Sequence, residues 1–275
     1  MAYEFLGDGA LDYFPCRYGR SRVVFRGPRR DLSSGYAAAL GGTETYGRFV
    51  PAPYPALLDA ALGLPLINLG NNNAGLDLYL NDPEVLAAIG GARIAVVQVL
   101  GAANLSNRFY RVHPRRNDRF VAGSAALRNL YREADLTEFH FTRHLLLGLH
   151  RICPDRFDLL VAELRTTWVE RMRALMRSIP GRKILLWLGA APPADPRASV
   201  TLWQDPMLVT QQMLDAVQPL ADAYLQLAPS AKALSAGTRG MAFSPMDEPA
   251  ARLLPGPEVH KEIAGELEPL IRALL

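Results

Sequence analysis

Three polar turns and one histidine bring together the residue types that acyl-transfer chemistry needs. Gly41-Gly42-Thr43-Glu44 puts a hydroxyl and a carboxyl straight after the apolar run Tyr36 to Leu40. A hydroxyl there is a weak nucleophile until a base takes its proton. Backbone N–H groups at a strand-to-helix turn can hold the oxyanion that forms. Thr43 is therefore a candidate nucleophile and oxyanion donor, with Gly42 and Glu44 beside it as substrate contacts. The other reading of Thr43 is a helix N-cap, and of Glu44 a charge favoured at a helix start. Asn68-Leu69-Gly70-Asn71-Asn72-Asn73 offers a second backbone donor at Gly70. Its asparagines, Asn71 and Asn73 in particular, either line a pocket or simply take left-handed turn conformations. Gly101-Ala102-Ala103-Asn104 adds a side-chain amide, with Asn107 as an alternative donor. His260 is the candidate general base; otherwise it is a polar residue in the first turn of a helix.

Arginines form the second chemical feature. Arg108, Arg111, His113, Arg115, Arg116 and Arg119 lie close together in sequence. Arginine favours bidentate contacts to carboxylate, sulfate or phosphate, so Arg108, Arg115 and Arg116 are candidate ligands for a small anionic molecule. The bland alternative is a solvated basic face. Six further arginines fall between Arg17 and Arg30 and are candidates for the same patch. The net charge of the 275-residue chain is only +3, and no nucleic-acid-binding motif is present, so nucleic acid is not the expected partner. His140 and His144 share one helical face, but no third ligand accompanies them. Cys16 and Cys153 have no metal-type spacing. No metal or cofactor is expected, and nothing specifies an oligomeric state.

The elements that must position these residues alternate regularly. Continuous apolar runs at 35–41, Leu64 to Leu69, Ile94 to Leu100, Lys183 to Leu188 and Ala223 to Leu227 read as strands covered on both faces. Helices are expected at 54–62, at 76–89 with a break at Asp82-Pro83, at 157–178, at 206–222 and from His260 to Leu275. The stripe Phe157, Leu160, Val161, Leu164, Trp168, Met172, Leu175 and Met176 is the buried face of the long helix. Such alternation argues for a three-layer α/β/α sandwich around a five-stranded parallel sheet, flavodoxin-like in architecture. Ligands bind such sheets beyond the C-terminal strand ends, where the three polar turns fall. Residues 1–34 read as an irregular lead-in, with a possible edge strand at Ser21 to Arg26. Residues 102–156 read as an insertion after the third strand, with a basic loop from Asn104 to Arg119 and helices near 124–131 and 137–151. A proline-rich loop from Ala190 to Arg197 follows the fourth strand, and 229–257 is expected to be irregular. The whole of 1–275 is read as one domain. No basic start with an apolar run opens the chain, and no apolar stretch approaches the ~18 residues of a membrane span, so a cytoplasmic protein with no membrane partner is expected.

The turns also resemble the SGNH, or GDSL-type, hydrolases. That family has a Gly-Asp-Ser nucleophile turn after its first strand, a glycine after the second, a Gly-x-Asn-Asp turn after the third and Asp-x-x-His before the closing helix. Gly41-Gly42-Thr43, Asn68-Leu69-Gly70, Gly101-Ala102-Ala103-Asn104 and His260 take those places in order, and Pro257 stands where the family has its aspartate. The resemblance implies a hydrolase or acyltransferase acting on an ester of an anionic or carbohydrate-type substrate. Thr43 and His260 would be catalytic, and Thr43, Gly70 and Asn104 would hold the oxyanion. The alternative it implies is a non-catalytic member of the fold that binds an anionic ligand or a protein partner in the same cleft. Phe14-Pro15-Cys16-Arg17-Tyr18-Gly19-Arg20, Gly41 to Gly47 and His113-Pro114-Arg115-Arg116-Asn117-Asp118-Arg119-Phe120 further resemble an uncharacterised bacterial family, a domain of unknown function.

Overall fold

A computed structural model describes residues 11–195 and 200–275. The readings made for residues 1–10, and for the end of the proline-rich loop, lie outside the described residues. Five strands, β1 (Ala37–Gly41), β2 (Leu66–Gly70), β3 (Ile94–Gln98), β6 (Arg182–Leu188) and β7 (Ala223–Leu227), form one sheet in the order β2-β1-β3-β6-β7. Every pairing in it is parallel. Successive side chains of a strand point to opposite faces, and here both faces are covered. Ala38, Leu40, Ala95, Val97 and Leu185 enter one core, whereas Ala37, Ala39, Ile94, Val96 and Ile184 enter the other. That is why the strands read as unbroken apolar runs. The arrangement is the three-layer α/β/α sandwich with a five-stranded parallel sheet.

On one face lie α3 (Leu76–Leu80), α4 (Pro83–Gly90), α6 (Thr142–Ile152) and the 24-residue α7 (Pro154–Arg177). The buried residues of α7 are the eight of the expected stripe. On the other face α2 (Tyr54–Leu62) packs against α11 (Pro257–Leu274). The short α1 (Thr43–Tyr46) caps the end of β1.

Three local expectations differ from the structure. The basic stretch expected as a loop is an antiparallel hairpin, β4 (Tyr110–His113) with β5 (Arg116–Gly123). Tyr110 and Val112 are buried and Arg111 is exposed, a period-two pattern that satisfies a half-buried strand. The expected edge strand at Ser21 to Arg26 is only an isolated bridge between Cys16 and Phe25. The helix expected at 206–222 shrinks to α8 (Gln211–Asp215) and a 3-10 turn at Gln218–Leu220. Leu208 has φ 65, outside the helical region, and Pro219 gives no N–H to continue the ladder. The connection 229–257 holds the short α9 (Ala231–Ser235) and α10 (Glu248–Ala251). The insertion supplies α5 (Ala125–Leu130) as well as α6.

Candidate functional site

A cleft of about 430 Å³ opens beyond the C-terminal ends of β1, β3 and β6. Thr43 and Glu44 form one wall, Asn73 and Asn104 the next, and Thr142, Arg143 and Asp205 close the far side. Trp168 of α7 supports the floor, its indole N–H donating to the Leu100 carbonyl at 2.7 Å.

Gln98, the last residue of β3, organises this end of the sheet. Its Oε1 accepts from the Gly42 N–H at 2.9 Å and from the Thr45 hydroxyl at 2.6 Å. Its Nε2 donates to Glu44 Oε2 at 2.8 Å. Tyr54 places its hydroxyl 2.8 Å from the Thr45 oxygen, whose single proton already goes to Gln98. Glu44 therefore sits in the cleft on a fixed amide donor. Enclosure away from water raises its pKa above the ordinary carboxylate value; the Gln98 hydrogen bond opposes this, and the charge of Asp205 adds to it. Asp205 itself is paired with Arg143 through two contacts of 2.7 and 2.9 Å.

Thr43 is the first residue of α1, after an N-cap at Gly42 that has no side-chain cap bond. The threonine is thus not the helix cap. Its hydroxyl oxygen accepts from the Asn73 N–H at 3.0 Å and lies 3.4 Å from Asn73 Oδ1. Asn73 holds a left-handed φ of 53, and its Nδ2 donates to Asp118 at 3.2 Å. Asn104 accepts from the Thr142 hydroxyl at 2.6 Å and donates to the Asn73 carbonyl at 3.1 Å. Thr43, Gly42, Glu44, Asn73 and Asn104 all line the one cleft.

His260, Gly70, Asn71 and Arg108 do not join them. His260 is 1% exposed and belongs to the opposite layer, where α11 meets α2. Its Nδ1 accepts the backbone N–H of Tyr54 at 3.1 Å, and its ring stacks on Tyr54. Burial holds its pKa down to about 3. A base must be within reach of the proton it takes, and His260 faces the start of α2 rather than the cleft. The Gly70 N–H is committed to Asn68 Oδ1 at 2.8 Å; a Cβ at Gly70 would lie 2.3 Å from the Tyr46 nitrogen. Gly70 is a glycine so that α1 can pack on β2, and its N–H is not an oxyanion donor. Asn71 turns away to donate to the Val24 carbonyl. Arg108 stacks on Phe109, and its backbone N–H donates to Glu163.

Arg115 and Arg116 line a separate groove, described below. Arg26, a member of the N-terminal arginine group, is 6% exposed and donates to the carbonyls of Tyr46, Gly47, Val50 and Pro51. It staples the segment after α1 and is not a ligand for anions. His144 packs edge-on against Phe139.

The sequence reading did not single out Gln98, Asp118, Thr142, Arg143 or Asp205. For Gln98 a signal existed, since it is the one polar residue in Ile94-Ala95-Val96-Val97-Gln98. A lone amide at the C-terminal end of a buried strand needs partners, and those partners are the site. The others come from the hairpin, α6 and the 200–207 loop, whose return to the strand ends has no local sequence signature.

Comparison with solved structures gives distant likenesses. A structural-genomics target from Lactobacillus plantarum is 16% identical, with 88% of this chain and 98% of that chain covered and a TM-score of 0.36. LAE5, an alpha/beta hydrolase enzyme from the metagenome of Lake Arreo, is 16% identical, covering 84% and 91%, with a TM-score of 0.41. The lipase Lip_vut3 from goat rumen metagenome is 11% identical, covering 84% and 97%, with a TM-score of 0.38. Superpositions this loose carry no argument about chemistry. Comparison with curated proteins gives no match. Among the described residues, no helix is long and apolar enough to cross a membrane. A family model does match, over residues 1–275, and the chain belongs to that family, the domain of unknown function DUF6473.

Proposed function

We propose that the cleft hydrolyses a small polar ester, with Glu44 rather than His260 moving the proton. The observation that carries this reading is the Glu44 carboxyl, enclosed in the cleft with a raised pKa and held by Gln98. A carboxyl tuned upward in a cleft suits general acid–base work near neutral pH. In the proposed step the ionised carboxylate takes a proton from a water molecule, whose oxygen adds to the ester carbonyl. The bond from the carbonyl carbon to the alcohol oxygen then breaks, and the alcohol leaves with the proton that Glu44 returns. Thr43 and Asn104 orient the ester, and the preference is for esters of anionic or carbohydrate-type substrates.

The test is turnover of short activated esters, and of acetylated sugars, by wild type, Glu44→Gln and Thr43→Ala. Glu44→Gln keeps the shape and is expected to lower kcat by about 10²–10⁴-fold, the range for a lost acid–base group. The acid limb of the wild-type pH profile should lie above the ordinary carboxylate pKa. Equal rates in wild type and Glu44→Gln sink the proposal. If Thr43→Ala abolishes turnover and wild type forms an acyl-enzyme, Thr43 is the nucleophile instead. A second reading, ligand binding without turnover, is supported by the engagement of the Thr43 hydroxyl with Asn73 and by the burial of His260. Saturable binding of an ester that wild type never cleaves would establish it.

A further inference from the structure

Beside the cleft, and sharing Asn73 and Asp118 with it, runs an open groove of about 760 Å³. Three separate segments build it: Arg22 to Val24 of the lead-in, Asn71 to Asn73 after β2, and the tip of the β4–β5 hairpin with the first half of β5. Arg22, Arg115, Arg116 and Arg119 are all exposed along it. None of the four makes an ion pair among the described residues. Among the described residues, the only carboxylate lining the groove is Asp118, which accepts from Asn73. Guanidinium groups from segments far apart in the chain thus line one groove with Asp118 as counter-charge, an arrangement that like-charge repulsion opposes.

The hairpin that carries them is pre-set. Asn117 is fully buried; its Oδ1 accepts from the Gly75 and Leu78 N–H groups and its Nδ2 donates to the His113 carbonyl. His113 Nδ1 accepts from the backbone N–H groups of Arg115 and Arg116, each at 3.2 Å. That assigns the imidazole proton to Nε2, leaving it a donor. The Arg119 guanidinium rests on the Phe141 ring at 4.9 Å. Asn72 is also in the lining, with its Oδ1 buried away from solvent.

We propose that this groove is a binding site for a phosphorylated small molecule. Arg22, Arg115, Arg116 and Arg119 take the phosphate oxygens, by the charge-assisted, planar contacts that arginine makes best. Rigid presentation of the hairpin limits the entropy lost on binding. The site stands apart from the hydrolytic reading, because occupancy is an equilibrium and needs no turnover at Glu44.

Isothermal titration with pyrophosphate and with ribose 5-phosphate, in 150 mM NaCl, tests it. Arg115→Ala with Arg116→Ala, and separately Arg22→Ala, are expected to raise Kd at least ~10-fold, as loss of charge-assisted hydrogen bonds does. These side chains are exposed, so unchanged circular dichroism and melting should accompany the loss. Arg108→Ala, outside the groove, should leave Kd unchanged. No binding of either probe, or equal weakening by Arg108→Ala, overturns the site. Tighter binding of a single-stranded oligonucleotide, lost in the same variants, overturns the assignment to a small molecule. The titration is repeated on Glu44→Gln, so that a failed esterase and a failed groove give different results.

Discussion

His260 illustrates how far a single residue's role depends on the layer it joins. A histidine opening the last helix has the right place along the chain for a base, but chain order does not say which side of the sheet receives it. Here it satisfies one of the donors that a helix start leaves unpaired, the N–H of Tyr54. His260→Leu should therefore cost about 1–3 kcal/mol in denaturant unfolding, the penalty of an orphaned buried donor. It should leave turnover at Glu44 unaffected. The pH dependence has a definite sign. The folded pKa of about 3 lies below the ordinary 6.5, so between those values the unfolded chain binds a proton that the folded one refuses. Stability contributed by neutral His260 is present above pH 6.5 and falls as pH drops towards 3, by up to ~1.4 kcal/mol per pH unit. His260→Leu should remove that slope from an acid titration of stability; an unaltered slope would show that another group sets it.

The elements around the cleft are held by close backbone approach. Gly41 faces the Thr45 hydroxyl and Gln98, and Gly70 faces the backbone of α1. Both glycines were legible in the sequence as turn residues. Their reason was not, because the neighbour that forbids a side chain comes from another segment. A Cβ at Gly70 meets main-chain atoms, which cannot rotate aside as a flexible side chain would. Gly70→Ala is expected to destabilise by about 1–3 kcal/mol, as overpacking does, and to displace Thr43 and Glu44 together. On the proposed reading, turnover should then fall although neither Thr43 nor Glu44 is altered. Full stability and activity in Gly70→Ala would restore Gly70 as a candidate with some other role. Arg26 secures the same region from the far side through its four carbonyl acceptors. In sequence it was indistinguishable from its exposed neighbours Arg22 and Arg29, since burial is a tertiary property.

At the scale of the molecule, the sheet was the most legible part. Strands covered on both faces leave a continuous apolar record, and α7 leaves an amphipathic stripe. The hairpin was obscured because its outward residues are arginines, which drew attention to charge and away from alternation. The sheet is also unequal in protection. β1 and β3 are buried along their whole length, whereas β7 is a half-buried edge. Hydrogen exchange should find the slowest amides in β1, β3 and the inner face of α7, with β7 and α9 opening earlier. Uniform exchange across the sheet would contradict this ordering of local stability.

The two hydrogen bonds that Gln98 Oε1 receives also settle its amide orientation, because a flipped amide would set NH2 against two donors. With Nε2 thus directed at Glu44 Oε2, that oxygen must keep a lone pair free to accept. A proton on Glu44 is favoured on Oε1, because a protonated Oε2 is the weaker acceptor for the Gln98 amide. The two carboxyl oxygens are thereby unequal, Oε2 being tethered to the Gln98 amide, and the carboxylate is held further by Glu44's own backbone N–H.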